Sequence, residues 1–155
     1  MFANLLNRFY AIAHSILVPR HAVIDKMIGD EVMAFFIPAF HPTYRRGAIE
    51  AAVALQRAIL VAGDGKPLLP IGIGVHAGQA YVGKVGTEDV SDFTAIGDTV
   101  NTAARLQAVA RAGEVAISDE LAPNAPPEFA NAEQRTVEIR GRQQPLGVRV
   151  LKITA

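Results

Sequence analysis

Residues 24–36, IDKMIGDEVMAFF, place the tightest limit on what this chain can fold into. Strand formers flank Gly29-Asp30 on both sides: Ile24, Met27 and Ile28 before it, Val32, Met33, Phe35 and Phe36 after it. A two-residue Gly-Asp connection between such runs predicts an antiparallel hairpin with Gly29 at positive φ. Asp30 at the tip then has two readings. It is a residue that suits a turn, or it is a hard oxygen ligand for a cation on a rigid support.

Helical and strand periodicities interleave around this hairpin. Phe2, Leu5, Leu6, Phe9, Ile12, Ala13 and Ile16 recur at helical spacing and predict an amphipathic helix ending near Pro19. After a predicted loop over 38–47, Ala48, Ala52, Leu55, Ile59 and Ala62 form a second stripe that stops at Gly63. Ile71, Ile73 and Val75 alternate with Gly72, Gly74 and His76, a strand with little bulk on one face, and QAYVGKVG follows as the next strand. DFTAI reads as a strand running into Gly97-Asp98. A helix marked by Val100, Ala103, Leu106 and Ala110 follows, expected to be capped by Asp98 and to close at Gly113. EVAIS, an irregular Pro-rich stretch, and two closing strands, TVEIR and VRVLKI, complete the order. The class is α/β or α+β with a largely antiparallel sheet.

At 155 residues and 50% hydrophobic, the chain suits one domain, 1–155, with a substantial core. Its 15 basic and 15 acidic residues leave no field to recruit nucleic acid or an anionic membrane, so neither is an expected partner and an anionic ligand must meet local groups. The absence of cysteine removes disulfides and thiolate metal sites and fits a cytoplasmic location. Glu50, Gln56 and Arg57 interrupt the longest apolar stretch, so no membrane span is expected in this segment, whether or not a parent protein is anchored elsewhere. The opening MFANLLNRFY reads as structure and not as an export leader. His14, His21, His41 and His76 lack metal-ligand spacing and are expected at the surface or at caps. GIGVHAG has the wrong spacing for a dinucleotide fingerprint, and GDGK lacks the upstream glycine and the hydroxyl residue of a phosphate loop.

In AIGDTVNTAARLQAVARAGEVAIS, Asn101 and Arg105 lie four apart and project from one helix face, either a solvated polar edge or a site. KMIGDEVMAFF, GIGVHAGQAYVGKVG and FTAIGDTVNTAARL, in this order and at these intervals, closely resemble the catalytic domain of class III nucleotide cyclases, the adenylate and guanylate cyclases. The resemblance runs from the first helix to the last strand and includes the lysine four residues ahead of Asp30, the VNxAxR helix and the AGEVAIS strand. It implies a ferredoxin-like α+β core, a largely antiparallel sheet with flanking helices. It also implies conversion of a nucleoside triphosphate to a 3′,5′-cyclic nucleotide and pyrophosphate with two Mg2+ or Mn2+ ions.

By the same resemblance Asp30 helps to hold the metal ions, Arg105 stabilises charge on the α-phosphate and Asn101 orients the ribose. Arg140 corresponds to the basic residue that grips the terminal phosphates, with Arg142 as the second choice. Lys26 and Thr94 fall at the base-reading positions. Lys26 only donates and suits adenine N1, while the Thr94 hydroxyl can accept from the 6-amino group but can also donate. ATP is therefore the expected substrate, with GTP as the alternative. The resemblance also implies a head-to-tail homodimer with two sites at the interface.

One departure stands out. The family carries a second metal aspartate on a strand ahead of the first helix, and residues 1–23 contain no acid. Asp25 is a poor substitute, since alternation points it away from the face of Lys26. The domain is thus expected to be incomplete at its N-terminus, with an upstream segment carrying the strand, and the strands beside it are expected to lack partners. As given, the chain is expected to bind metal weakly and turn over slowly or not at all. The rival reading is an inactive cyclase-homology module that binds nucleotide or regulates a partner.

Overall fold

A computed structural model describes residues 2–29, 31–87 and 91–154. Helix α1 (Phe2–Leu17) buries Phe9, Ala13 and Leu17, the i, i+4, i+8 face of its stripe, and gives way to a 3₁₀ turn at Val18–Arg20 where Pro19 offers no N–H to extend the helix. Strands β1 (Val23–Ile28) and β2 (Glu31–Phe35) form the expected antiparallel hairpin, with Gly29 at φ +58. Asp30 itself lies outside the described residues. The pairing is irregular at one place. Ile24 faces Ala34 and Lys26 faces Met33, so Asp25 is an extra residue and the alternation expected between Asp25 and Lys26 is interrupted.

Helix α2 (Tyr44–Ala62) packs two ways, with Ile49, Val53 and Leu60 toward the main sheet and Ala51, Leu55 and Ile59 toward α1. It starts at Tyr44, inside the segment expected as loop. Its first turn is polar and solvent-facing, so it adds nothing to the apolar stripe, although an i, i+4 pair between Arg46 and Glu50 (3.1 Å) supports it. Gly63 ends it as expected, its N–H reaching Ile59 O and Leu60 O.

Strands β3 (Ile73–Val75), β6 (Glu114–Ser118), β7 (Glu133–Val137) and β8 (Leu146–Lys152) form one sheet in the order β3-β6-β8-β7, with β3 parallel to β6 and the other pairs antiparallel. β6 is central, and all five of its residues are buried. Val115 and Ile117 join the α2 cluster, whereas Ala116 meets Leu106, Val148 and Val150 beneath helix α3 (Asp98–Val109). The layers are therefore α1 and α2, the sheet, then α3. Strands β4 (Tyr81–Gly86) and β5 (Ser91–Ile96) make a separate antiparallel pair leading into α3.

Several boundaries differ from the periodicity. Gly97 and not Asp98 is the N-cap of α3, and no side chain caps this helix; Asp98 sits in the first turn, where its charge suits the helix dipole. α3 stops at Val109 because Ala110 is already extended (φ −80, ψ 128), and Gly113 (φ +82) instead turns the chain into β6, its N–H bonded to Ile71 O. β7 begins at Glu133, three residues before TVEIR, because its register against β8 runs from Glu133↔Val150 to Val137↔Leu146. The Pro-rich stretch folds as two 3₁₀ segments, Asp119–Asn124 and Pro127–Asn131, held by buried Leu121 and Phe129.

No ladder joins β2 to β3 among the described residues. Between them runs a groove of about 1100 Å³, walled by Val32–Ile37 and Ile71–Ala77, floored by Ala48, Ala52 and Leu55 of α2, and reaching Asn101.

Candidate active site

Helix α3 is set by close backbone approach to β3. A Cβ on Gly74 would lie 2.3 Å from Gln107 N and 2.6 Å from Ala103 O, and one on Gly72 would lie 2.3 Å from Ala110 O. The bare strand face inferred from sequence is thus the surface on which α3 rests. Thr102 and Leu106 are fully buried, Leu106 among Ala116, Val148 and Val150 of β6 and β8, and burial of Leu106 alone contributes about 1.5–3 kcal/mol. The opposite face is exposed and carries Asn101 and Arg105 one turn apart. Asn101 lines the β2–β3 groove, while Arg105 lines a second, polar pocket of about 460 Å³.

That second pocket also contains Arg140 and Arg142, with Glu138, Gln143 and Gln144. Arg105 Nη2 donates to Glu138 O at 3.2 Å, which anchors the guanidinium at the pocket wall. Arg142 is held by Glu120 at 3.4 Å, whereas no ion pair among the described residues engages Arg140. Arg140 belongs to the turn after β7 and not to a strand, correcting the expectation from TVEIR. Three guanidinium groups around a polar pocket form a site suited to phosphate oxygens.

Lys26 and Thr94 belong to a different part of the molecule, where β1 meets β5. Lys26 is exposed on β1, and Thr94, opposite Gly83 on β5, is 5% exposed. Thr94 Oγ1 donates to Asp25 Oδ2 at 2.5 Å, which ties the hairpin to the β4–β5 pair. The nominated side chains therefore occupy the groove (Asn101), the polar pocket (Arg105, Arg140) and the β1–β5 junction (Lys26, Thr94).

Two contributors escaped the sequence reading. Asp25 was set aside by strict alternation, which the bulge invalidates, and its partner lies 69 residues away. His76 was expected at the surface or a cap. Instead it is half-buried with Nδ1 2.8 Å from Ser118 Oγ, and burial lowers its pKa so that the neutral ring is favoured. Behind the site, Glu114 (7% exposed) takes both guanidinium nitrogens of Arg135 at 2.9 and 3.0 Å, and this hydrogen bonding holds its carboxyl below the usual range.

A cation pair needs several carboxylate oxygens. Among the described residues no group of three His, Asp or Glu side chains is placed to hold a metal ion, and Asp25 is committed to Thr94. The described donor set does not by itself fit a two-ion centre.

Comparison with known proteins agrees with this fold. Residues 1–151 match the family described as the Adenylate and Guanylate cyclase catalytic domain. An uncharacterized protein of Mycobacterium tuberculosis is 37% identical over 148 residues, covering 92% of this chain but 27% of that protein, so the chain spans about a quarter of that relative. The crystal structure of the guanylyl cyclase Cya2 superposes with a TM-score of 0.84 at 23% identity, covering 99% of this chain and 81% of the other. The adenylyl cyclase CyaB from P. aeruginosa gives a TM-score of 0.77 at 26% identity, covering 96% and 81%. Matched over residues 1–151, this chain belongs to the adenylate and guanylate cyclase catalytic domain family.

Proposed function

We propose that the chain is an adenylate cyclase domain that converts ATP to 3′,5′-cyclic AMP and pyrophosphate in intracellular signalling. The observation that carries this reading is the polar pocket in which Arg105, on the exposed face of α3, meets Arg140. Arg105 offers a fixed charged fork to the α-phosphate as the 3′-oxygen attacks, and Arg140 binds the departing terminal phosphates. Asn101, one turn earlier on α3, orients the ribose. Lys26 donates to adenine N1 and Thr94 accepts from the 6-amino group.

The reading includes a head-to-tail homodimer with two sites, in which one subunit supplies Asp30 for the metal and the other supplies Lys26, Asn101 and Arg105. The family chemistry uses Mg2+ or Mn2+, with Asp30 as one donor. The described acids leave that centre incomplete, so no step is assigned to the metal. This same shortage of acids favours a second reading, an inactive module that binds nucleotide without cyclising it.

The test is product formation from ATP and from GTP with manganese, for this chain and for a form extended at its N-terminus by a strand bearing an acid. Cyclic AMP from the extended form supports the adenylate cyclase reading. ATP-dependent thermal stabilisation without product from either form supports the binding module. Preferential production of cyclic GMP would refute the assignment of ATP.

A further inference from the structure

Thr94 is an ambiguous reader of a base, because a hydroxyl has one hydrogen to give and two lone pairs to receive with. Left free, it can turn its hydrogen toward a 6-oxo group or its lone pairs toward a 6-amino group. In this fold it is not free. Its hydrogen is directed to Asp25 Oδ2 at 2.5 Å, and the side chain has little room to turn at 5% exposure. A carboxylate accepts and does not donate, so while this bond stands Thr94 Oγ1 offers only lone pairs to a third group.

The backbone makes the arrangement possible. Asp25 is the extra residue of the β1 bulge, with no Cα partner on β2, and such an insertion re-aims a side chain off the regular pleat. The next residue, Lys26, resumes the pairing opposite Met33 and remains exposed. The bulge thus sets a donor-only lysine beside a carboxylate that fixes the threonine on β5.

We propose that Asp25 is a specificity-determining positioning residue: by holding the Thr94 hydrogen it makes Thr94 a pure acceptor, which receives the 6-amino group of adenine and disfavours the 6-oxo group of guanine or hypoxanthine. This rests on the adenylate cyclase reading above, and it adds a residue that touches the reader and not the base. A purely architectural role, tying β1 to β5, would change stability without changing which base is preferred.

The experiment compares dissociation constants for manganese-ATP and manganese-ITP, whose bases differ at the 6-substituent and the N1 proton. The proteins are the unaltered chain, Asp25→Asn, Thr94→Val and the double variant. Asparagine keeps the shape and a hydrogen bond to Thr94, but its amide can donate and so release the hydroxyl to face a 6-oxo group. The expected result is that Asp25→Asn lowers the ATP-over-ITP preference by about 3- to 10-fold, the worth of one hydrogen bond. Thr94→Val lowers it by a similar factor, and the double variant is no less selective than Thr94→Val alone. An unchanged preference in Asp25→Asn, with Thr94→Val altered, overturns the role of Asp25 while leaving the substrate reading intact. Binding of both nucleotides by the unaltered chain without a preference for ATP overturns both.

Discussion

Replacing Gly74 by alanine adds one methyl group at the contact that seats α3, and the structure gives the size of the conflict. The new Cβ would lie 2.3 Å from Gln107 N, and ordinary contact begins at 3.4 Å, so helix and strand must separate by about 1.1 Å. The obstructing atoms, Gln107 N and Ala103 O, are backbone, so no rotamer change relieves them. Overpacking of this kind costs about 1–3 kcal/mol. At an m-value of about 2 kcal/mol/M, the urea midpoint should fall by roughly 0.5–1.5 M. The displaced element carries Asn101 and Arg105, the groups proposed above to orient the ribose and meet the α-phosphate, and a misplacement of about 1 Å in such a group can cost around 100-fold in rate. Urea unfolding followed by circular dichroism, beside cyclase assays on the N-terminally extended form, measures both effects. A Gly74→Ala protein with an unchanged midpoint and unchanged rate would refute the claim that this contact positions the helix.

Other substitutions probe the remaining parts. Arg105→Lys keeps the charge but loses the planar fork, so initial rates should fall by about 100-fold or more while ATP affinity changes only a few-fold. Gln56, 1% exposed, donates through Nε2 to Ile71 O and Glu114 O, both at 2.9 Å; Gln56→Leu removes both bonds, but Ile71 O keeps the Gly113 N–H and the unpartnered Gln56 Oε1 is also lost, so the change should cost about 1 kcal/mol in urea unfolding. The carboxyl of Glu114 has a folded pKa below its unfolded value, so its stabilisation is complete above about pH 4.3 and is lost as pH falls through the lower folded value; Glu114→Gln should flatten that acid limb. His76 is also shifted downward, by burial, so urea midpoints should begin to fall once pH drops below about 6.5, and His76→Gln should remove that earlier decline.

Much of the architecture was legible along the chain because it rests on local chemistry. The Gly29 turn, the α1 stripe ending at Pro19, the α2 stop at Gly63 and the strand EVAIS each depend on neighbouring residues, and each is found as expected. Where tertiary partners decide, the local signal failed. The polar first turn of α2 was invisible to a hydrophobic stripe, Gly113 serves the entry to β6 and not the end of α3, and β7 takes its limits from β8. Arg105 and Asn101 could be nominated from their spacing on one helix, but their division between a groove and a polar pocket depends on what surrounds each end of that helix.

By itself the sequence determined the residue types, their helical or extended periodicities and the motif order that marks the family. Only the tertiary structure decided which groups meet across long separations. It set the bare glycine face of β3 under α3, joined Arg105 to Arg140 in one pocket, and brought Asp25 to Thr94 through a bulge. The physical reason is that periodicity reports which face of an element is apolar, whereas hydrogen-bond direction and backbone approach depend on the register and seating of elements far apart in the chain.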